Sequence, residues 1–277
     1  MATLWRDRLR VPAFPSSAVS NSLEDDMVQV MTESDNRFLG GRLLLRQGGS
    51  GHRAGTDAML LASAIPRDAS GLLFDAGAGA GAVGLSAVIL APDIRVGLIE
   101  LEPQACALAR ENISRNGFGD RSEVFEADLL DAASRRAAGL RPVSASAVLT
   151  NPPFFEPGRV RVTPDPQKAL AHVGAAPLED WARACLSLLE PGGLFVMIHR
   201  ADALADCLAA VKGRLGGVAI LPVAPREGEP AIRILLRGVK GSKAPLRLCA
   251  PLVLHSRDGS FTPLADAIHR GEAAAPF

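Results

Sequence analysis

Short apolar runs alternate with amphipathic stretches along most of the chain from residue 71 onward. The runs have the length of buried strands, and the stretches between them repeat their apolar positions at helical spacing. Strands that alternate with helices in this way form mostly parallel sheets covered on both faces. We therefore predict a Rossmann-like, doubly wound α/β fold around a mostly parallel, seven-stranded sheet. The predicted strands are residues 72–74, 95–99, 122–127, 145–149, 194–198, 218–221 and 232–236.

The segment before residue 71 carries the signals of a hairpin and one helix. Two short apolar runs within residues 37–47 flank Gly40-Gly41, as the strands of a hairpin do. Thr56 is predicted to cap the helix that follows it, and Pro66 to end that helix. The Pro- and Ser-rich residues 1–31 are predicted to be a disordered extension. The rest is predicted to be a single domain made of the hairpin and helix (32–70), the core (71–241) and a C-terminal extension (242–277).

Composition argues against several classes of protein. No apolar run reaches the roughly 18 residues that a membrane span requires, and no apolar stretch follows the arginines near the start, as it would in a secretory signal. The cysteines are too far apart for a zinc site and too few for a disulfide framework. We therefore expect a cytoplasmic protein with reduced thiols and no metal. The four cysteines are Cys106, Cys185, Cys207 and Cys249.

A glycine-rich turn joins the first predicted core strand to the next helix. It reads Asp75-Ala76-Gly77-Ala78-Gly79-Ala80-Gly81. Glycines at such a turn let the backbone approach a ligand beside the free N–H groups of a helix N-terminus. Gly79-x-Gly81-x-x-Gly84 also fits the dinucleotide fingerprint, with Glu100 about twenty residues further on. The glycines alone therefore leave open an NAD site or merely a tight turn.

Three acidic residues follow three successive predicted strands: Asp75, Glu100 and Asp128. The carboxyl ends of parallel strands meet at one edge of a sheet, which is where ligands bind in this kind of fold. Asp75 would repel a pyrophosphate but suits the amino group of a methionine moiety. Glu100 suits the hydroxyls of a ribose, and Asp128 suits the amine of an adenine. Together the three favour S-adenosylmethionine over NAD.

Asn151-Pro152-Pro153-Phe154 follows the fourth predicted strand at the same edge. The prolines hold the stretch extended and rigid, which leaves the Asn151 side-chain oxygen and the Pro152 carbonyl as two acceptors. Acceptors that hold both N–H groups of an exocyclic amine would turn its delocalised lone pair toward a sulfonium methyl, while Phe154 stacks on the ring. The segment therefore predicts methylation of a planar nitrogen, achieved mainly by positioning. A rigid exit from the strand into a loop is the alternative.

Basic residues concentrate near the end of the predicted core. Residues 230–257 carry six basic side chains and no acidic one, although the whole chain has 30 of each sign. A solvated sheet edge and a phosphate-contacting strip both fit this pattern, and the second would make RNA a partner. The candidate RNA-binding residues are Arg233, Arg237, Lys240 and Lys243.

These motifs together resemble those of the bacterial tRNA adenine N6-methyltransferase family, which modifies the purine beside the anticodon of a valine tRNA. The resemblance implies a class I methyltransferase fold that uses S-adenosylmethionine to methylate an adenine in tRNA. Phe154 departs from the family, because many relatives carry tyrosine there. The resemblance runs from about Phe38 to Gly271 and includes Gly51 to Leu61, the glycine turn, Ile99 to Glu102, Ala127-Asp128 and Asn151 to Phe155.

The resemblance also implies a role for each matching residue. Asp75 and the glycines of the turn would hold the methionine end of the cofactor, Glu100 its ribose and Asp128 its adenine. Thr56 and Asp57 lie in a segment that closes over the cofactor in related enzymes. The catalytic segment is Asn151, Pro152, Pro153 and Phe154, and the cofactor-binding set is Thr56, Asp57, Asp75, Gly77, Gly79, Gly81, Glu100, Leu101 and Asp128.

Other interpretations stay open. A glutamine N5-methyltransferase that acts on a protein needs the same two acceptors, but such enzymes usually carry an N-terminal helical domain. A ribosomal RNA guanine N2-methyltransferase often has a duplicated domain, for which this chain lacks room. An NAD-dependent oxidoreductase would leave Asp75 and the Asn-Pro-Pro-Phe segment without a role, and a non-catalytic cofactor-binding module is also possible. We expect a monomer that acts on tRNA and has no membrane partner.

Overall fold

The computed structural model of the protein describes residues 34–48, 55–153 and 178–277, all within the unit Thr32–Phe277. The predicted extension at residues 1–31 lies outside the described residues. A hairpin of β1 (Ser34–Phe38) and β2 (Leu43–Gln47) precedes a nine-stranded sheet. The strands of that sheet are β3 (Gly71–Ala76), β4 (Ile94–Glu100), β5 (Ser122–Glu126), β6 (Ala145–Thr150), β7 (Leu189–Arg200), β8 (Leu215–Arg226), β9 (Arg233–Lys240), β10 (Arg247–Leu248) and β11 (Leu252–His255).

Seven helices accompany these strands in the described part of the chain. They lie between the strands in sequence, as the alternating pattern predicts, except for the last one, which follows β11. The helices are α1 (Thr56–Ala62), α2 (Ala82–Leu90), α3 (Pro103–Arg115), α4 (Ala132–Ala137), α5 (Leu178–Leu188), α6 (Leu204–Val211) and α7 (Pro263–His269).

The strand order identifies the edge at which a ligand can bind. The order is β10-β8-β9-β7-β6-β3-β4-β5, with β11 also paired to β8, and β9 runs antiparallel to β7 and β8 while the other pairs are parallel. From β3 the chain first adds strands on one side, β4 and β5, and then returns to add β6 on the other. The carboxyl ends of β3 and β6 therefore flank the switch point at which such sheets bind their ligands.

The sheet has nine strands where the sequence pattern predicts seven. The seven predicted strands are all present, and two short strands from the C-terminal extension pair parallel to the outer edge of β8. Strand β10 has only two residues, both exposed, and β11 has four. Segments this short carry no recognisable periodicity, so tertiary pairing creates them.

Strand β7 also begins earlier than predicted. Helix α5 ends at Leu188, and Leu189 already pairs with Ala145 on β6, whereas the next paired residue of β7 is Leu194, opposite Ala147. Pro191-Gly192-Gly193 therefore lies inside a bulge of the strand, not in a turn before it. A proline is tolerated there because a bulge leaves residues out of the hydrogen-bonded ladder.

Alternate residues of the strands enter two separate apolar cores. On β9, Leu235 joins the core that also contains the helices α1 and α2, and Leu236 joins the core on the opposite face that contains α5. Side chains that point alternately to the two faces of a strand explain this division. Both faces of the central strands are thus covered, as the near-continuous apolar runs predict.

Two asparagines of α3 attach the hairpin to the large sheet. Asn112 is fully buried, accepts a hydrogen bond from the Arg46 N–H (2.8 Å) and donates to the carbonyls of Arg46 (2.9 Å) and Ala80 (3.0 Å). Asn116 bonds in the same way to the N–H and carbonyl of Leu44, at 2.9 and 2.8 Å. These amides complete the hydrogen bonds of β2 as a neighbouring strand would. Because Ala80 lies in the glycine turn, Asn112 connects the hairpin to that turn.

The C-terminal extension closes onto the start of the domain. The Arg42 guanidinium donates to the carbonyls of Arg270 (2.8 Å) and Gly271 (3.2 Å), and Arg67 donates to those of Gly271 (3.2 Å) and Ala273 (3.0 Å). The predicted parts 32–70 and 242–277 are thus bound to each other as well as to the core.

Candidate active site

The glycine turn directly follows β3 and leads into α2. Gly77, Gly79 and Gly81 have φ angles of 75°, 55° and 90°, a region that residues with a Cβ rarely adopt. The N–H groups of Gly77 and Ala78 donate to the Ile99 carbonyl at 2.9 and 3.0 Å, which fixes the turn against the end of β4. A Cβ added at Gly79 would meet no atom within 4 Å and would project into open space. The turn thus presents bare backbone toward that space, as a cofactor cradle requires.

Asp75 lies beneath the turn. Its side chain is buried, and one carboxylate oxygen accepts a hydrogen bond from the Gly84 N–H at 2.8 Å. Burial raises the pKa of Asp75 to about 7; the hydrogen bond from Gly84 opposes this rise, and the charge of Glu100 adds to it. Asp75 therefore ties the end of β3 to the first turn of α2. Its predicted contact with the amino group of a methionine moiety stays a prediction.

Gly84 is the third glycine of the apparent dinucleotide fingerprint. A Cβ at this position would lie 2.8 Å from Cγ1 of Val96 and would overlap Leu98 on β4. The absence of a side chain therefore lets α2 approach the sheet closely. The requirement for glycine at position 84 thus comes from packing between helix and strand, so it gives no separate support for a pyrophosphate.

Glu100 ends β4 and closes the other side of the turn. Its carboxylate accepts from the N–H groups of Gly79 (2.7 Å), Leu101 (2.8 Å) and Glu102 (2.9 Å). A carboxylate has about four lone-pair directions, so one remains for a hydroxyl donor such as a ribose. Leu101 exposes 62% of its surface at this edge and offers an apolar contact.

Asp128 follows β5, at the next strand end. One of its carboxylate oxygens accepts from the Leu130 N–H at 2.8 Å, and its own N–H donates to the Ser134 hydroxyl at 2.9 Å. These bonds hold a half-buried carboxylate in place at the start of the loop before α4. The three predicted acids thus lie at the carboxyl ends of three neighbouring strands: Asp75 and Glu100 within the ends of β3 and β4, and Asp128 just after β5. The ribose and adenine contacts of Glu100 and Asp128 stay predictions.

The Asn-Pro-Pro segment begins where β6 ends, beside the glycine turn. Ala76 on β3 pairs with Thr150 on β6, so the residues that follow them, Gly77 and Asn151, leave neighbouring strands at the same edge. Asn151 is half-buried. Pro152 is buried and Pro153 exposed. Phe154 lies outside the described residues.

Two residues at this edge are absent from the predicted site. Trp181 on α5 donates from its indole N–H to the Thr150 hydroxyl at 2.9 Å, and Thr150 donates in turn to the Ala76 carbonyl at 2.9 Å. The helical pattern of α5 places Trp181 on a core stripe without further role. The sequence does carry a sign of the role of Thr150, because it is a polar residue that ends an apolar strand directly before Asn151.

Thr56 and Asp57 are held by distant parts of the chain. Helix α1 begins at Thr56 itself and lacks a side-chain cap, so the predicted capping role of Thr56 is wrong; its hydroxyl instead lies 3.2 Å from Nε2 of His269. Asp57 forms an ion pair with Arg233 at 2.9 Å. Thr56 also borders a cavity of about 570 Å³ between the hairpin turn, α1 and α7, away from the glycine turn. Cofactor contacts of either residue stay predictions.

The four predicted RNA-binding residues do not form one strip. Arg233 and Arg237 lie on one face of β9, where Arg233 pairs with Asp57 and the Arg237 guanidinium lies 4.2 Å from the ring centroid of Phe277. Burial and the nearby Arg247 lower the pKa of Arg237. Both arginines are therefore half-buried and engaged within the protein.

Lys240 points to the opposite face. Its ammonium donates to the carbonyls of Leu186 (2.7 Å) and Leu189 (2.6 Å), where α5 meets β7. Lys243 follows β9 and is exposed. Since strand side chains alternate between faces, a continuous basic surface along β9 is geometrically excluded. RNA contact by individual members of the set stays a prediction.

Two further observations concern the described residues alone. None of their helices combines the length and hydrophobicity of a membrane span. They also contain no group of three histidine, cysteine or acidic side chains placed to bind a metal ion.

The fold and the site define a class I S-adenosylmethionine-dependent methyltransferase. The sheet has the strand order given above, and a glycine turn and acidic residues lie at its successive strand ends. Residues 50–178 match the family described as methyltransferase small domain. The chain is 30% identical over 216 residues to a tRNA1(Val) (adenine(37)-N6)-methyltransferase of Aeromonas hydrophila, covering 76% of this chain and 85% of that protein. The chain belongs to the tRNA1(Val) (adenine(37)-N6)-methyltransferase family.

Other comparisons agree with this fold. A relative with the same name from Porphyromonas gingivalis strain W83 is 33% identical over 165 residues, which are 58% of this chain and 63% of that protein. A crystal structure described as a predicted O-methyltransferase from Agrobacterium tumefaciens superposes with a TM-score of 0.67 at 34% identity. It covers 79% of this chain and 97% of the other.

Proposed function

We propose that the protein methylates N6 of adenine 37 in tRNA1(Val), with S-adenosylmethionine as the methyl donor. The observation that carries this proposal is the pairing of Ala76 with Thr150. Because these two residues are neighbours on adjacent strands, the glycine turn and the Asn-Pro-Pro segment begin side by side. A cofactor cradle and a pair of hydrogen-bond acceptors at one edge are what transfer of a methyl group to an amine needs. The name of the Aeromonas relative supplies the tRNA and the base.

The residues at this edge fit the proposed cofactor. The open space over Gly79 would receive its methionine end, Glu100 retains one acceptor direction for a ribose hydroxyl, and Leu101 offers an apolar contact. Asp128 is fixed at the next strand end as an acceptor for an adenine amine. When bound, S-adenosylmethionine supplies a methyl group on a positively charged sulfur.

The chain's own contribution is to orient the acceptor amine. The Asn151 side-chain oxygen and the Pro152 carbonyl would each accept one N–H of the amine, which directs the nitrogen lone pair out of the plane of the base. The prolines restrict the backbone that carries both oxygens. Positioning of this kind can supply about 7–11 kcal/mol of a barrier, and each well-placed polar group about 3 kcal/mol. A base stacked in the anticodon loop must first be extruded, which costs a few kcal/mol.

The polar groups of the Asn-Pro-Pro segment favour nitrogen over oxygen as the atom that receives the methyl group. A hydroxyl group must lose its proton to become a good nucleophile, which requires a general base. Neither the Asn151 amide nor the Pro152 carbonyl is a base at neutral pH, and both are acceptors for N–H groups. We therefore favour an amine as the methyl acceptor of this chain, although the similar Agrobacterium protein is described as a predicted O-methyltransferase.

The test is a methyl-transfer assay with labelled S-adenosylmethionine and three separate acceptors: unmodified tRNA1(Val), the same tRNA with guanosine at position 37, and a bacterial protein extract. We expect label only in the first, and N6-methyladenosine after digestion to nucleosides. The Asn151→Ala variant should lower turnover by about 100-fold or more and still bind S-adenosylhomocysteine in calorimetry. Label in the protein pool, or in the guanosine tRNA, would contradict the proposed substrate, and unchanged turnover of the variant would contradict the role of Asn151.

A further inference from the structure

Trp181 lies at the catalytic edge but has no part in the function proposed above. It belongs to α5 and lies 31 positions beyond Thr150 in the chain, yet its indole N–H reaches the Thr150 hydroxyl at 2.9 Å. The ring also contacts the glycine turn, because a Cβ added at Gly77 would lie 3.2 Å from Cζ2 of Trp181. Trp181 thus lies against Gly77 on one side of the switch point and bonds to the Thr150 side chain on the other.

Thr150 connects these two sides through hydrogen bonds. It is fully buried, and its hydroxyl accepts from Trp181 while it donates to the Ala76 carbonyl at 2.9 Å. The bond from the indole N–H leaves the hydroxyl proton directed at Ala76. Threonine is restricted at χ1, so the position of this hydroxyl is well defined. Ala76 is the last residue before Gly77, and Thr150 is the last before Asn151.

We infer that Trp181 and Thr150 are positioning residues that set the distance between the glycine turn and the two acceptors of the Asn-Pro-Pro segment. The inference rests on the proposed function, because it assigns these residues to methyl transfer between those two sites. They act through Gly77 and Asn151 and need no contact of their own with the reacting atoms. A displacement of about 1 Å between reacting groups can lower a rate about 100-fold, so small changes in this link have measurable effects.

The main alternative is that Trp181 only fills space between α5 and the sheet. Trp181→Phe separates the two roles, because phenylalanine keeps an aromatic ring in place and removes the N–H. Thr150→Val removes the hydroxyl at nearly constant volume, and Thr150→Ser keeps the hydroxyl as a matched control. Turnover at saturating substrates and the affinity for S-adenosylhomocysteine are measured for each variant, with far-UV circular dichroism to check folding.

We expect Trp181→Phe and Thr150→Val each to lower turnover about 10- to 100-fold, with cofactor affinity changed by less than about threefold. Thr150→Ser should retain turnover within about threefold of wild type, and the double variant should be no slower than the slower single variant, because both remove one link. Unchanged turnover in both single variants, equal losses for valine and serine, or multiplicative losses in the double variant would overturn the inference.

A second measurement does not depend on the identity of the methyl acceptor. The chain has two tryptophans, Trp5 and Trp181, so Trp5→Phe leaves Trp181 as the only one. Addition of S-adenosylhomocysteine should then change the tryptophan emission, and Thr150→Val should alter the emission of the free protein. Emission unaffected by the ligand would overturn the inference even if tRNA is methylated. A ligand-dependent emission without tRNA methylation would instead contradict the proposed substrate alone.

Discussion

Removal of the Asn112 side chain gives the sharpest stability prediction of the fold. Asn112→Ala would delete three hydrogen bonds of a fully buried amide: one from the Arg46 N–H, one to the Arg46 carbonyl and one to the Ala80 carbonyl. Alanine would remove the Asn112 amide from these three backbone groups. The glycine turn and the hairpin would both lose an attachment.

The magnitude follows from the hydrogen bonds. A typical internal hydrogen bond contributes about 1 kcal/mol net, and a buried group left unsatisfied costs about 1–3 kcal/mol. Three bonds of one buried amide therefore give an expected loss of about 3–5 kcal/mol in the free energy of unfolding. Asn116→Ala is the matched control, because Asn116 is only half-buried and its two bonds to Leu44 are exposed, although its amide also donates to the Asn112 carbonyl at 2.8 Å. Water can replace the two exposed bonds, so the control should lose about 1–2 kcal/mol, less than Asn112→Ala.

Urea denaturation followed by far-UV circular dichroism measures both values, and equal slopes with denaturant show that the two-state comparison is valid. Amide hydrogen exchange of residues 43–47 should also accelerate more in Asn112→Ala than in the control. A loss below about 1 kcal/mol, or one no larger than that of Asn116→Ala, would refute the assignment of Asn112 as the attachment between hairpin and turn.

Three other substitutions test separate parts of the structure. The free energy of unfolding of Asp75→Asn should increase relative to that of wild type as pH rises from about 4 to about 7. Burial raises the pKa of the Asp75 carboxyl from 3.8 to about 7, so the folded chain binds this proton more tightly than the unfolded chain does. The free energy of unfolding of the wild type therefore falls over that range, while that of the variant has no such contribution. Urea titrations near both ends of the range measure the difference, and a pH-independent difference would contradict the raised pKa. Gly84→Ala should destabilise by about 1–3 kcal/mol, because the added Cβ would overlap side chains of β4; an unchanged melting temperature would contradict that packing. Lys240→Met should lower the free energy of unfolding by about 2–3 kcal/mol, because the lysine ammonium donates to two backbone carbonyls. The same variant should leave the salt dependence of tRNA binding unchanged in filter assays. A flatter salt dependence would instead make Lys240 a phosphate contact.

The local parts of the site could be predicted from the sequence because each motif follows a strand directly. The glycine turn after β3, Glu100 at the end of β4 and the Asn-Pro-Pro segment after β6 all lie where the alternating pattern places them. In a parallel sheet, strand ends of this kind meet at one edge regardless of details of packing. The central strands were predictable for the same reason, since both of their faces are buried.

Features that depend on distant partners could not be predicted. Asp57 finds Arg233 at a separation of 176 residues, and Thr56 finds His269 at 213. Charges that look solvated in sequence are thus engaged within the fold. The contact between Trp181 and Thr150 is of the same kind, because nothing local indicates that α5 returns to the end of β6.

The predicted strand at residues 232–236 stops short of Arg237 and Lys240, whereas β9 extends to Lys240. These two residues are separated by an odd number of positions on β9, so alternation places them on opposite faces. A cluster of like charges in the sequence of a strand therefore does not define a surface.

The central claim is that the glycine turn and the Asn-Pro-Pro segment serve one reaction centre. A crystal structure with S-adenosylhomocysteine and the anticodon stem-loop of tRNA1(Val) tests it most directly. We predict the cofactor on the glycine turn, and the Asn151 side-chain oxygen and the Pro152 carbonyl each about 3 Å from the N6 nitrogen of adenine 37. A cofactor bound elsewhere, or those two oxygens directed away from the adenine, would contradict the claim.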